Sequence, residues 1–159
     1  MVLYLASDLL WATRIKSCAD DLTPPVPCRP VRTMEMLEAR LADSAVKGVL
    51  LDLSTGESGR EGEVAFAMLE RLKSGQPGDG NRRSEGGRGS RENPDSVRSP
   101  FAESRWPAIR VVVFGPHVQG EDLVRAKRMG ADAVMARGGL AANLPRVLRE
   151  LEGRSASGA

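Results

Sequence analysis

Hydrophobic residues in this chain fall into short unbroken runs, and between the runs they recur at three- and four-residue spacings. Val2 to Ala6 is one such run, the pattern of a strand covered on both faces. Ser7 or Asp8 is placed to cap a helix over about 9–21, with Leu9, Leu10, Ala12, Ile15 and Ala19 spaced as its apolar face. Thr23-Pro24-Pro25 stops that helix. Val26 to Val31 contains Pro27 and Pro30, and each proline removes a ladder donor, so this second strand belongs at a sheet edge. Thr33 opens a second helix on Met34, Leu37 and Leu41. Val49-Leu50-Leu51-Asp52-Leu53 reads as a third, buried strand. After the Gly- and Ser-rich stretch from Ser54 to Gly62, Glu63 to Lys73 forms a third helix. Ile109 to Phe114 is a β-branched strand ended by Gly115-Pro116, and Glu121 to Met129 is a helix with Gly130 as its stop. Ala133-Val134-Met135-Ala136 is a short fifth strand. Gly138-Gly139 turns the chain into a last helix from Leu140 to Leu151, in which Pro145 moves the expected start towards Asn143.

Five strands alternating with five helices predict an α/β fold. Parallel neighbours need crossover connections, so the sheet is parallel and wound on both faces. Right-handed crossovers and an edge position for the second strand favour the order 2-1-3-4-5, a flavodoxin-like arrangement. A functional site in that topology lies at the carboxyl ends of the strands, where the strand order reverses. The residues there are Ser7 and Asp8, Asp52, and Gly115 with His117.

One segment breaks the pattern. Ser74 to Trp106 consists mainly of Gly, Arg, Ser, Pro, Asn, Asp and Glu, which bury too little apolar surface to offset the entropy of ordering. It is expected to be a disordered insert, about 74–106, within a single domain over 1–153, with 154–159 as a disordered tail.

Composition refines this picture. Aromatic residues are only 4% of the 159 residues against 41% hydrophobic overall, so the core is aliphatic. The net charge of +2, from 23 basic and 21 acidic residues, gives no reason to expect nucleic-acid binding. Cys18 and Cys28 have neither disulfide-framework nor metal-site spacing. Two reduced thiols, no signal-like leader and no membrane-length apolar stretch suggest a cytoplasmic location.

Taken together, the topology, Leu51-Asp52-Leu53 at the end of the third strand and Gly130-Ala131-Asp132 before the fifth resemble the receiver domain of response regulators. The resemblance implies an aspartate that accepts a phosphoryl group, two acidic residues that hold Mg2+, a Ser or Thr ending strand four, a Lys ending strand five and an aromatic on strand five. Asp52 falls at the acceptor position. Asp8 falls at one acidic position, and Ser7 takes the other. Gly115 stands where the hydroxyl residue belongs, Arg137 where the lysine belongs, Gly138 where a proline follows it, and Val134 at the aromatic position. The match is therefore to a degenerate, pseudo-receiver-like domain. Magnesium is a cofactor only if Asp52 accepts phosphate. Asp52 pairing with Arg137 or Lys47, and Asp8 capping the first helix, are the structural alternatives. Arg137 could also hold a phosphate or carboxylate in a forked way.

Other features carry less. His117 is the only histidine and has no second His or Cys beside it, so it reads as a loop residue. Gly56, Gly59 and Gly62 lack the lysine of a phosphate-binding loop. Arg82, Arg83, Arg88, Arg91 and Arg98 lack interleaved aromatics and read as a solvated linker. Trp11 and Trp106 read as packing anchors.

The expected function is a non-enzymatic signalling or interaction module acting without phosphorylation. It would meet a protein partner through helix four, strand five and helix five, the output face that the resemblance implies. A phosphoacceptor single-domain regulator using Asp52 is one alternative, and a small-ligand or nucleotide binder on the same fold is the other.

Overall fold

The computed structural model describes residues 1–54, 62–74, 109–116 and 120–153. Five strands run through it: β1 (Val2–Leu5), β2 (Cys28–Pro30), β3 (Gly48–Asp52), β4 (Arg110–Gly115) and β5 (Ala133–Ala136). Between and after them come α1 (Leu9–Asp21), α2 (Met34–Asp43), α3 (Glu63–Ser74), α4 (Gly120–Arg128) and α5 (Arg137–Leu151). All neighbouring strands are parallel and their order is β2-β1-β3-β4-β5, as the alternation of elements requires.

Side chains alternate between the faces of each strand, and the core divides accordingly. Leu3, Leu5, Val49, Leu51, Val111 and Val113 face a layer that includes Leu37 and Leu41 of α2, Met68 and Leu69 of α3 and Ala126 of α4. Val2, Tyr4, Leu50, Val112 and Phe114 face Trp11, Ile15 and Ala19 of α1 and Leu140, Leu144, Val147 and Leu148 of α5. This two-sided burial explains why β1, β3 and β4 read as unbroken apolar runs. Asp52 follows Leu50 by two residues, so its side chain points to the α1/α5 side of the sheet.

Edge strand β2 pairs with β1 alone. The second layer gains a cross-link from Arg71, which is 7% exposed and holds Glu38 of α2 through two nitrogens. Gly48 lets α5 approach β3: a Cβ there would lie 2.6 Å from Leu151 Cβ. Gly130, at φ +103°, ends α4 in the left-handed region, where glycine carries no Cβ penalty.

Three expectations are corrected. The fifth helix begins at Arg137 directly after β5, with Gly138 and Gly139 inside its exposed first turn and no intervening loop. Asn143 supports that turn by donating from Nδ2 to the Gly139 carbonyl at 2.9 Å. Pro145 lies inside the helix. An interior proline costs roughly 3 kcal/mol, which burial of Leu140, Leu144, Val147, Leu148 and Leu151 outweighs at about 1.5–3 kcal/mol each.

The second correction concerns α1. Its buried row is Trp11, Ile15 and Ala19, whereas Leu9 and Leu10 are each 77% exposed. Both lie in the first turn, outside that i, i+4, i+8 row. The third concerns Ser74, which composition places in the insert and which is the last residue of α3. The rest of the expected insert, 75–106, and the tail 154–159 lie outside the described residues, as do His117, Trp106, Gly56 and Gly59. No helix among the described residues is long and apolar enough to cross a membrane.

Candidate functional site

The carboxyl ends of β1, β3 and β5 bring three polar side chains together. Ser7 follows β1, Asp52 is the last residue of β3, and Arg137 is the first residue of α5. Asp52 is fully buried. Its Oδ2 accepts from the Ser7 backbone N–H at 3.1 Å, from Ser7 Oγ at 2.6 Å and from Arg137 Nη2 at 3.1 Å. Its Oδ1 accepts from the Ser54 N–H at 3.0 Å and, at 3.4 Å, from the same Arg137 nitrogen. Arg137 Nη2 also donates to Ser7 Oγ at 2.7 Å, closing a triangle.

The physical sense of this triangle is charge compensation. A buried carboxylate is tolerated when it is paired and its lone pairs are taken up by donors. Ser54 supplies one backbone donor because the chain turns just after Asp52, and Ser7 supplies two because β1 and β3 are neighbours. Arg137 supplies the positive charge.

Its geometry differs from the forked contact anticipated for a guanidinium. One nitrogen makes all three contacts, while Nε is buried without a hydrogen-bond partner. The guanidinium carbon lies 5.9 Å from the centre of the Trp11 ring, within cation–π range. Trp11 packs on Phe114 with ring centres 5.2 Å apart, and Phe114 is the register partner of Asp52. The arginine is thus flanked by a carboxylate and an aromatic ring.

Asp8 plays another part. Its Oδ1 accepts from the Trp11 N–H at 2.8 Å, making it the N-cap of α1. Gly115 ends β4 opposite Ala136, and it offers no side-chain hydroxyl. Val134 is a partly buried packing residue of the layer formed by α2, α3 and α4. Lys47, the other candidate partner of Asp52, precedes β3 and instead lies 3.7 Å from Glu152.

A divalent ion in this place would need several carboxylate oxygens. The donor set does not fit one. Asp52 turns its oxygens to N–H and O–H donors of Ser7, Ser54 and Arg137, Asp8 caps a helix, Ser7 contributes a hydroxyl, and a guanidinium already stands against the carboxylate. Among the described residues, no three His, Cys, Asp or Glu side chains group as a metal site.

Sequence reasoning did not foresee Trp11 as a wall of this site or the Ser54 amide as a donor. Helical spacing places Trp11 one turn beyond the cap, but only the packing of α1 against α5 brings it to Arg137. Beside the triangle, a crevice of about 460 Å³ opens along the ends of β1 and β2, with Ser7, Asp8, Arg32, Ser54 and Val64 in its lining.

Gly130-Ala131-Asp132 lies at the other end of the sheet. Asp132 accepts from the Val111 N–H and from Lys73 Nζ, both at 2.7 Å. Burial tends to raise the Asp132 pKa. The Lys73 and Val111 hydrogen bonds and the nearby Lys73 and Lys127 charges outweigh it and hold the carboxyl below its ordinary range. The motif joins α3, β4 and β5 and has no part in the triangle.

No family model and no curated protein matches the sequence. Solved structures do match. The receiver domain of NtrX from Brucella abortus superposes with a TM-score of 0.63 at 17% identity, covering 98% of this chain and 100% of that one. A response regulator from Thermotoga maritima gives 0.60 at 10% identity, covering 96% of each chain. An orphan response regulator of H. pylori gives 0.55 at 14% identity, covering 97% of this chain and 95% of that one. Against a longer NtrX chain the match spans 26% of that chain. The chain therefore has the receiver fold of response regulators, at identities that define architecture alone.

Proposed function

We propose that this chain is a non-enzymatic signalling or protein-interaction module, receiver-like in fold and degenerate at its acceptor site, that acts without phosphorylation of Asp52. One observation carries the reading: the Asp52 carboxylate is fully buried, with both oxygens held by Ser7, Ser54 and Arg137. An acceptor oxygen must be free to attack phosphorus. Here attack would require breaking the contacts that make the buried charge tolerable. Gly115 and Val134 lack the hydroxyl and the aromatic ring through which the resembled domains would convey the change.

Output then depends on surface contacts. The reading assigns these to α4, β5 and α5 of one domain over residues 1–153. Val124 on α4 is 51% exposed, and the β5 side chains are partly exposed. These are apolar groups at a face that a protein partner would cover.

Incubation with acetyl phosphate and Mg2+ followed by intact-mass measurement tests the proposal. No phosphoryl adduct is expected. An adduct present in the native protein and lost in Asp52→Asn would overturn it in favour of a phosphoacceptor regulator.

A further inference from the structure

We propose that the crevice along the ends of β1 and β2 is a small-molecule site, and that it takes an aliphatic α-amino acid in its zwitterionic form. A module that takes no phosphoryl group needs another input, and this site supplies one. The assignment goes beyond the proposed function and does not depend on the state of Asp52.

The chain builds the crevice where it leaves the sheet. The turn from β1 into α1 forms one wall and the turn from β2 into α2 another, with Ser54 after β3 and Val64 of α3 beside them. Edge strand β2 ends at Pro30, opposite Tyr4, so Leu5 at the end of β1 has no β2 residue paired with it. The resulting space of about 460 Å³ lies within the roughly 300–1,000 Å³ of small-molecule sites.

Two opposite charges line it. Asp8 and Arg32 are both exposed, and among the described residues neither makes an ion pair, with the other or with a third residue. Asp8 spends Oδ1 on the Trp11 N–H, which leaves its second oxygen for an ammonium group. Arg32 directly precedes Thr33, the N-cap of α2, and its planar guanidinium matches a carboxylate in a fork. A simple anion would be repelled by Asp8 and a simple cation by Arg32. A molecule that carries both charges is complementary to both.

The rest of the lining selects the remainder of the ligand. Leu9, Pro30, Val31 and Val64 are aliphatic, and Leu9 is 77% exposed, apolar area that a ligand side chain would cover. Ser54 Oγ is buried without a hydrogen-bond partner among the described residues, while the Ser54 N–H is committed to Asp52. Buried hydroxyls are ordinarily satisfied, and a charged ligand group in the crevice would satisfy this one.

The experiment is a titration of the full-length protein with L-leucine, L-valine and L-methionine, followed by amide 1H–15N chemical shifts. At least one should give saturable shifts at the turns after β1 and β2, with a dissociation constant of about 1 mM or tighter. N-acetyl-L-leucine lacks the ammonium and L-leucinamide lacks the carboxylate. Each should bind roughly tenfold more weakly than L-leucine, or worse. Arg32→Gln and Asp8→Asn should weaken binding to a similar degree, and asparagine at position 8 keeps the cap of α1.

The inference is overturned if none of the three amino acids gives saturable shifts, or if either single-charge analogue binds as tightly as L-leucine. Folded variants with unchanged affinity overturn it as well. The analogues test both charges on the native protein, so the result stands even where a variant does not fold. A phosphoryl adduct on Asp52 refutes the proposed function and leaves this site untouched, whereas failure of amino-acid binding refutes this site alone.

Discussion

Arg137 Nη2 stands 3.1 Å from Asp52 Oδ2, across a sheet in which β4 separates β3, which ends at Asp52, from β5, which leads into Arg137. The pair joins the last helix to the centre of the sheet, and Ser7 ties the first strand to both. Removing Arg137 takes a guanidinium charge away from a buried carboxylate. Asp52 would keep its Ser7 and Ser54 donors, and Arg137 is 30% exposed. Arg137→Ala is therefore expected to cost about 2–3 kcal/mol, below the range for a fully enclosed pair. In a double-mutant cycle measured by urea unfolding, Asp52→Asn combined with Arg137→Gln should cost less than the two single changes added together. Strict additivity would show that the pair is not energetically coupled.

The contact between Gly48 and Leu151 gives a prediction about packing. A methyl group at position 48 would meet Leu151 Cβ at 2.6 Å and the Leu151 carbonyl oxygen at 2.7 Å. Gly48→Ala should destabilise the protein by about 1–3 kcal/mol through overpacking, even though alanine is the better residue for a strand. The thermal midpoint reports the loss. An unchanged midpoint would mean that α5 can shift away from β3 without cost.

Cys28 predicts behaviour in alkali. Burial, against the opposing charge of Lys16, pushes its thiol from an ordinary value of 9.0 up to about 12. A raised folded-state pKa contributes stability that is complete below the unfolded value and is lost as pH rises from there through the folded value. Native stability should therefore decline above pH 9.0, as the unfolded thiol ionises and the buried one does not. Cys28→Val should make the decline shallower in urea midpoints taken on either side of the ordinary thiol value. In the native protein, Cys28 should also react with iodoacetamide far more slowly than after unfolding.

Asp132 has the opposite sign. Its folded-state pKa is depressed, so its contribution is present above the ordinary carboxylate range and is lost as pH falls through the folded value. Asp132→Ala removes bonds to Lys73 and to the Val111 amide at a partly exposed site. It should cost about 1–2 kcal/mol at neutral pH after allowance for solvent screening. It should also flatten the acid limb of the stability profile. An acid limb identical to that of the native protein would remove Asp132 from the linkage.

Much of this molecule is legible without coordinates. Unbroken apolar runs announced β1, β3 and β4, because strands covered on both faces have no polar side to show. Prolines announced β2 as an edge, and Asp8 announced the start of α1. Other elements misled for equally physical reasons. Gly138 and Gly139 suggest a turn, yet the buried face of α5 carries the helix back to Arg137. Leu9 and Leu10 suggest a core face, yet both fall outside the row that meets the sheet.

The sequence by itself determined the alternation of strands and helices, the parallel order of the sheet, and the presence of Asp8, Asp52 and Arg137 at strand ends. Those features follow from residue periodicity and chain connectivity, which are local or topological. Tertiary structure alone decided that Arg137 rather than Lys47 meets Asp52, that Ser7 lies between them, and that Trp11 flanks the guanidinium. Arg137 and Asp52 are 85 residues apart and Arg137 and Ser7 are 130 apart. Whether such residues meet depends on strand register and helix rotation in the folded core, which no local pattern encodes.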